Sequence, residues 1–238
     1  MAALPWPSVL RIASERWNPN KGTSKSGGRS VTNQELIVVG PSGYITASLT
    51  IPVNRPAEVL AMRALLAGLD GRAGTVLVGP REGARVPWAT DPLTGGRISR
   101  CRGDNDAARD PAWDANVDTS ADLNFRLALA AALNATTLTI QRNRGGFLIP
   151  GMMFSVAGRL HIITSLASPD PAGAGGLPAP GNISVVVRPW LRADYAAGAS
   201  LEFARPLCVM RRASDDDAEI ELQLSRFGTV TLDLVEAF

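Results

Sequence analysis

The sequence is poor in the side chains that do most protein chemistry. Its 238 residues include one histidine, His161, and two cysteines, Cys101 and Cys208. A single imidazole excludes a metal site built on several histidines, and a nucleophilic triad would need partners that its neighbourhood lacks. His161 lies inside Leu160-His161-Ile162-Ile163 and reads as a strand residue with a satisfied ring. Two distant thiols make no disulfide framework and no Cys-x-x-Cys occurs, so a reducing site of synthesis fits. Cys208, between Leu207 and Val209, reads as a small buried hydrophobe, and neither cysteine has a neighbouring His to activate it. Long apolar runs are missing too. The longest, Leu127 to Leu133, is far below the ~20 residues that span a bilayer. The start, Met1-Ala-Ala-Leu-Pro-Trp-Pro, lacks the basic and apolar regions of a signal peptide. The expectation is a soluble protein made in the cytoplasm.

Net charge is nearly absent, at +2, which excludes a general polyanion binder and any sequence-specific nucleic-acid role. The charge is uneven, however. Met1 to Ser30 holds Arg11, Arg16, Lys21, Lys25 and Arg29 against Glu15, whereas Leu201 to Phe238 is rich in acids. Ends of opposite sign suit contact between neighbouring copies, and equally suit solvated faces. Lys21 and Lys25 are the only lysines, a bias that codon usage explains and that carries no functional weight here.

Turn formers are plentiful, with 23 glycines and 17 prolines, and they imply many short strands. Val9 to Arg16 reads as a first strand. Asn18 to Ser30 is rich in Gly, Ser and Lys and reads as a mobile loop. Glu35 to Val39 and Tyr44 to Ile51 read as a hairpin around Gly40-Pro41-Ser42-Gly43. One helix is expected after Asn54 as cap, with Pro56 in its first turn, an apolar face of Val59, Met62, Leu65, Leu66 and Leu69, and Gly71 as its stop. Thr75 to Val78 follows as a buried strand. Arg81 to Asp122 is long, polar and irregular. Strands then resume over Leu123–Leu133, Thr136–Gln141, Met152–Val156 and Arg159–Thr164, with a tight turn at Gly158. Ile183–Val187 reads as buried on both faces. Leu201–Phe203, Leu207–Arg211, Ile220–Leu224 and Thr229–Val235 complete the set. In the last strand Val230, Leu232, Leu234 and Ala237 oppose Thr229, Thr231, Asp233 and Glu236.

No catalytic, cofactor-binding or metal-ligating residue emerges. Asp106, Asp110, Asp114, Asp118 and Asp122 recur at four-residue steps, but Pro111 forbids a helix through them. Asp104 and Asp106 alternate as calcium ligands do, yet the central Gly of such a loop is missing, and a solvated loop is the simpler reading. Arg102-Gly103-Asp104 is a chance tripeptide in a chain rich in these residues, and Asp215-Asp216-Asp217 is a charged turn. Gly173 to Gly181 lacks the Lys-Ser/Thr and helix of a phosphate loop. Trp88, Trp113 and Trp190 could stack on sugar, though lone aromatics more often serve a core or an interface.

Two regions carry a family resemblance. One is the hairpin, then the helix beginning Asn54-Arg-Pro-Ala-Glu58 and running through Met62 to Gly71, then the strand ending Gly79-Pro80. The other comprises Gly151 to Ile163, Val187-Arg-Pro-Trp-Leu-Arg192, Phe203 to Arg211 and the closing Leu234-Val-Glu-Ala-Phe238. Together they resemble the distal-tail or baseplate proteins of long-tailed bacteriophages (siphophages). The resemblance implies a mainly β protein: a β-sandwich or split-barrel ring domain with one flanking α-helix, plus a small inserted β domain. On this reading residues 1–122 and 201–238 form the ring domain, with 81–122 as a long loop, and 123–200 form the insert. It also implies a structural virion protein at the tail tip, not an enzyme and needing no cofactor. Such a protein forms a ring with itself, as a hexamer, between the tail tube protein and the tail-tip hub and other baseplate proteins. A carbohydrate-binding module for host attachment is the alternative from a different class.

Overall fold

A computed structural model describes residues 3–20, 23–29, 35–39, 43–81, 85–88, 123–173, 178–215, 222–223 and 227–238. The chain is mainly β with one α-helix, as expected, and divides into two compact units. The first contains Met1–Pro80, Gly158–Leu160 and Leu207–Phe238; the second contains Arg81–Ala157 and His161–Pro206. The second unit thus starts some forty residues earlier than the sequence suggests. The reason is visible at Val86, which is buried in its core, and at Trp88, which packs against that core.

The first unit is built on one seven-stranded sheet. Its path runs β1 (Leu4–Pro5), β6 (Val76–Val78), β13 (Cys208–Arg212), β15 (Phe227–Glu236), β5 (Tyr44–Val53) and β2 (Ser14–Asn20), with β14 (Leu222–Gln223) also on β15. β1 and β6 are parallel, while the other pairs are antiparallel. β5 alternates strictly, so Ile45, Ala47, Leu49, Ile51 and Val53 are buried and the residues between them are half-buried. β15 matches it residue for residue from Gly228↔Val53 to Val235↔Thr46 and buries Val230, Leu232 and Leu234.

The helix α1 (Pro56–Leu69) packs against β5 and β1 through Val59, Met62, Leu65 and Leu69. Its cap is Arg55, one residue later than the sequence suggests. Glu58 explains the shift: its Oε2 accepts the backbone N–H of both Asn54 (2.8 Å) and Arg55 (3.0 Å), so no Asn54 side-chain cap is needed. These two bonds, with nearby arginine charge, hold the Glu58 carboxyl below its ordinary range. Asp70 ends the helix in the left-handed region, just before Gly71.

Two readings of the N-terminal half are corrected. Asn18 to Ser30 is not a loop: β2 continues to Asn20, and β3 (Thr23–Arg29) pairs antiparallel with β4 (Glu35–Val39). β4 and β5 are not partners in a hairpin either. β2 and β3 form one arm of a longer hairpin and β4 and β5 the other, with Asn20↔Tyr44 followed by Thr23↔Val39. A ladder satisfies backbone groups whatever the side chains, so Ser, Thr and Gly can extend a hairpin that its partner strand aligns.

The second unit is a six-stranded antiparallel sheet. Its order is β12 (Ser200–Leu201), β7 (Asn124–Leu127), β8 (Thr137–Arg144), β11 (Gly181–Arg188), β10 (Arg159–Leu166) and β9 (Met153–Val156). Ser155 on β9 and Glu202 just beyond β12 exchange both backbone hydrogen bonds at 2.9 Å. That bridge brings the two edge strands together into a nearly closed barrel. Leu123 to Leu133 yields a strand only to Leu127; the apolar stretch after it is irregular and partly exposed. β11 buries Ile183, Val185 and Val187 on one face and leaves the other half-buried, so it is not buried on both faces. Phe154, Phe203 and Phe125 fill the interior, with ring centroids 5.1 Å and 4.7 Å apart in sequence along the stack. Each such pair adds roughly 0.5–1.5 kcal/mol beyond its burial. The β9–β10 turn places Ala157 and Gly158 at φ 48° and 75°, the signature of a two-residue type I′ hairpin. Gly145, at φ 139°, lies under Phe125, where an added Cβ would come within 2.5 Å of the ring.

Candidate functional site

Three buried polar groups stand out, and each has a structural explanation. Arg142 occupies an inward position of β8, in phase with Leu138 and Ile140, and is 1% exposed. Its Nη1 is 2.6 Å from Asp170 Oδ1 and donates to Gly146 O at 3.1 Å. Its Nε donates to Ala179 O (2.9 Å) and its Nη2 to Pro171 O (2.7 Å). Asp170 Oδ2 accepts Leu148 N–H at 2.8 Å. One guanidinium therefore ties three loop segments to a strand, with its charge matched by one carboxylate. This is a knot, not a reactive pair, because every directed bond goes to backbone or to the partner ion.

Glu236 is the second group. The alternation reading placed it on the polar face of β15, but it is in phase with Leu234 and buried. Its position is tolerated because Oε2 accepts the N–H of Ile45 at 3.1 Å and Oε1 lies 3.5 Å from Arg159 Nη1. Arg159 also donates to Ala237 O and lies over the Phe238 ring, 5.4 Å from its centroid. Cys208 belongs to the same unit. Burial, then the charge of Glu236, pushes its thiol up to about 12. A thiol held neutral at every physiological pH is not a nucleophile.

His161 is the third. It is buried, its Nδ1 lies 3.0 Å from Pro189 O, and its ring is 5.8 Å from that of Phe154. Trp190 is half-buried with the Arg188 guanidinium 5.9 Å from its ring centroid, and Trp88 packs on the core. The two tryptophans are not brought together into one platform by any contact among the described residues. Cys101, Arg102 to Asp104, the aspartates Asp106 to Asp122, Trp113, Asp216 and Asp217 lie outside the described residues. Among the described residues no group of three or more His, Cys, Asp or Glu is placed to hold a metal ion. No helix there is long and apolar enough to cross a membrane.

What remains is surface. In the second unit the loops 128–136 and 189–199 are laced together by the Ala131↔Tyr195 bridge, by Asn134 N–H to Leu191 O (2.8 Å) and by Leu133 N–H to Asp194 Oδ1 (2.7 Å). They leave Leu129 and Leu133 exposed, at 64% and 52%. In the first unit Val9, Leu60 and Phe238 are exposed, and β2 is a seven-residue strand with no second neighbour among the described residues. Such edges and patches are where other chains pair. The inward Arg142 and Glu236 escaped sequence reading because a charge at an apolar phase looks like the end of a strand; no local signal marks either. Comparison with protein-family models finds none that matches this chain, and comparison with curated proteins finds none that matches either.

Proposed function

We infer that this protein is a structural component of a phage tail, forming a ring at the tail tip between the tube and the hub. One observation carries the reading. The buried groups Arg142, Asp170 and Glu236 are bonded to backbone or to an opposite charge and the Cys208 thiol is held neutral, while apolar side chains and a strand edge are left at the surface. A chain so built acts through contacts with neighbours. The β sheet with a flanking helix and a second β unit has the parts that the sequence resemblance implies. The ring is made of copies of this chain, six on the resemblance, and meets the tube protein on one side and baseplate proteins on the other.

Stoichiometry in a purified virion tests this. Mass spectrometry of intact particles is expected to find the protein in a small multiple of the tail symmetry, with antibody label at the tail tip by electron microscopy. Particles lacking the protein, or turnover of a substrate by the isolated chain, would refute it. Hits on a glycan array would instead favour host attachment by sugar binding.

A further inference from the structure

We propose that two copies of this chain pair edge to edge through β2, antiparallel and related by a two-fold axis at Trp17. The proposal goes beyond the ring reading and does not rest on it, since it concerns the free chain. The register of the first unit's sheet decides which backbone groups of β2 face outward. Ile45 sends its N–H to Glu236 Oε2 on β15 (3.1 Å), so its backbone is turned away from β2. Pro19 is its partner on β2 and has no N–H, which is what that phase allows at an edge. The phase recurs at every second residue, so Trp17, opposite Ala47, also turns its N–H and C=O to the outer side of β2. Ser14, Arg16, Asn18, Pro19 and Asn20 are exposed and Trp17 is half-buried, so this side is open to an incoming strand. The Trp17 ring is held in place, its Nε1 donating to Glu15 Oε2 at 3.2 Å.

The occupant that fits is a second β2. Along the path of the sheet only this end is long enough to take another strand; the other end is β1, two residues that finish at Pro5, with Pro7 just beyond. Facing a copy of itself, β2 is self-complementary. An antiparallel pair centred on Trp17 exchanges N–H to C=O bonds between the two Trp17 residues in both directions and sets their rings side by side, a favourable cross-strand pair. On the other face Arg16 lies opposite Asn18 and Ser14 opposite Asn20, so no like charges are opposed. Centred one residue earlier, the pair would oppose Arg16 to Arg16, which is destabilising. Centred one residue later, Trp17 would meet Pro19, and the reciprocal bond would be lost for want of a donor. A contact that uses the same edge in both copies is isologous and closes at two.

Disulfide trapping in the full-length chain tests the register. In the proposed pair Ser14 and Asn20 of different copies face each other with Cα atoms about 4.5 Å apart, within reach of a disulfide. Within one chain they are six residues apart along a strand, about 20 Å, and cannot bridge. A Ser14→Cys/Asn20→Cys variant in a Cys101→Ser background is expected to give, on mild oxidation, a covalent dimer whose peptides join position 14 to position 20. An Arg16→Cys variant is expected to give no bond between the two positions 16. Sedimentation across a concentration series measures the uncrosslinked pair. Trp17→Pro removes an outward N–H that the β5 ladder does not use, and should weaken association about tenfold or more; Trp17→Phe keeps both the N–H and a ring, and should associate nearly as the wild type does. Circular dichroism of each variant reports its folding, and should Trp17→Pro misfold, the disulfide pattern decides. A wild-type chain that stays monomeric at every concentration and gives no bond between positions 14 and 20 would overturn the proposal. So would a dimer joined through positions 16, or one that a folded Trp17→Pro variant forms as tightly as the wild type.

Discussion

Replacing Arg142 by Met should unfold the second unit first. Met keeps most of the aliphatic length and removes the charge, so the Asp170 carboxylate and the carbonyls of Gly146, Pro171 and Ala179 all lose a donor. Arg142 is 1% and Asp170 8% exposed by side chain, so water cannot replace what is lost without opening the site. Breaking one side of a buried pair typically costs about 3–5 kcal/mol. For a chain of this size each kcal/mol moves the midpoint by roughly 2–4 °C, giving a fall on the order of 10 °C. Differential scanning calorimetry at pH 7, with urea titrations followed by circular dichroism, measures it. The companion variant Arg142→Met/Asp170→Leu removes the orphaned charge and should recover a large part of the loss. A single variant within about 0.5 kcal/mol of wild type would show that the knot is an ornament of the fold and contributes no stability. A double variant worse than the single would show that the carboxylate, not its isolation, matters.

Further outcomes follow from the other sites. Cys208 has its pKa raised in the fold, from 9.0 to about 12, so its contribution is complete below pH 9 and is lost as pH rises through that window; Cys208→Ala should flatten the pH dependence of stability there. In the native state the thiol should resist Ellman's reagent at pH 8 and react on denaturation. Glu58→Gln removes a carboxyl whose pKa is lowered by its backbone bonds; the wild type should lose stability as pH falls through that lowered value, and the variant should show less of this dependence. Gly145→Ala drives a Cβ into the Phe125 ring at a left-handed backbone position and should cost about 1–3 kcal/mol in urea titration. Glu236→Gln keeps the acceptor for Ile45 N–H but loses the ion pair with half-buried Arg159, and should be milder than Glu236→Leu, which leaves that N–H without its acceptor.

Regular elements were legible where one period ruled. The helix was read to within a residue of its cap, because Pro56 and the Val59–Met62–Leu65–Leu69 spacing agree. β15 was read as a strand from alternation alone, and Gly158 as the tight turn between β9 and β10. Failures occurred where pairing overrode composition. Thr23–Arg29 has little to bury, and only the alignment of Asn20 with Tyr44 makes it a strand. β8 was read only to Gln141, yet it runs to Arg144, and its Arg142 ties the β8–β9 connection to the β10–β11 connection. Two strands, β9 and β10, separate those connections in sequence, and no spacing rule joins them.

The strands flanking the second unit hold a lesson about the order in which this chain organises itself. β6 and β13 are hydrogen-bonded neighbours, Val78 beside Cys208, although about 130 residues intervene; closing so long an open coil would cost about 4 kcal/mol. β15, the strand between β13 and β5, emerges later still. The seven-stranded sheet therefore cannot be completed until β15 has been made, however early its other strands are available.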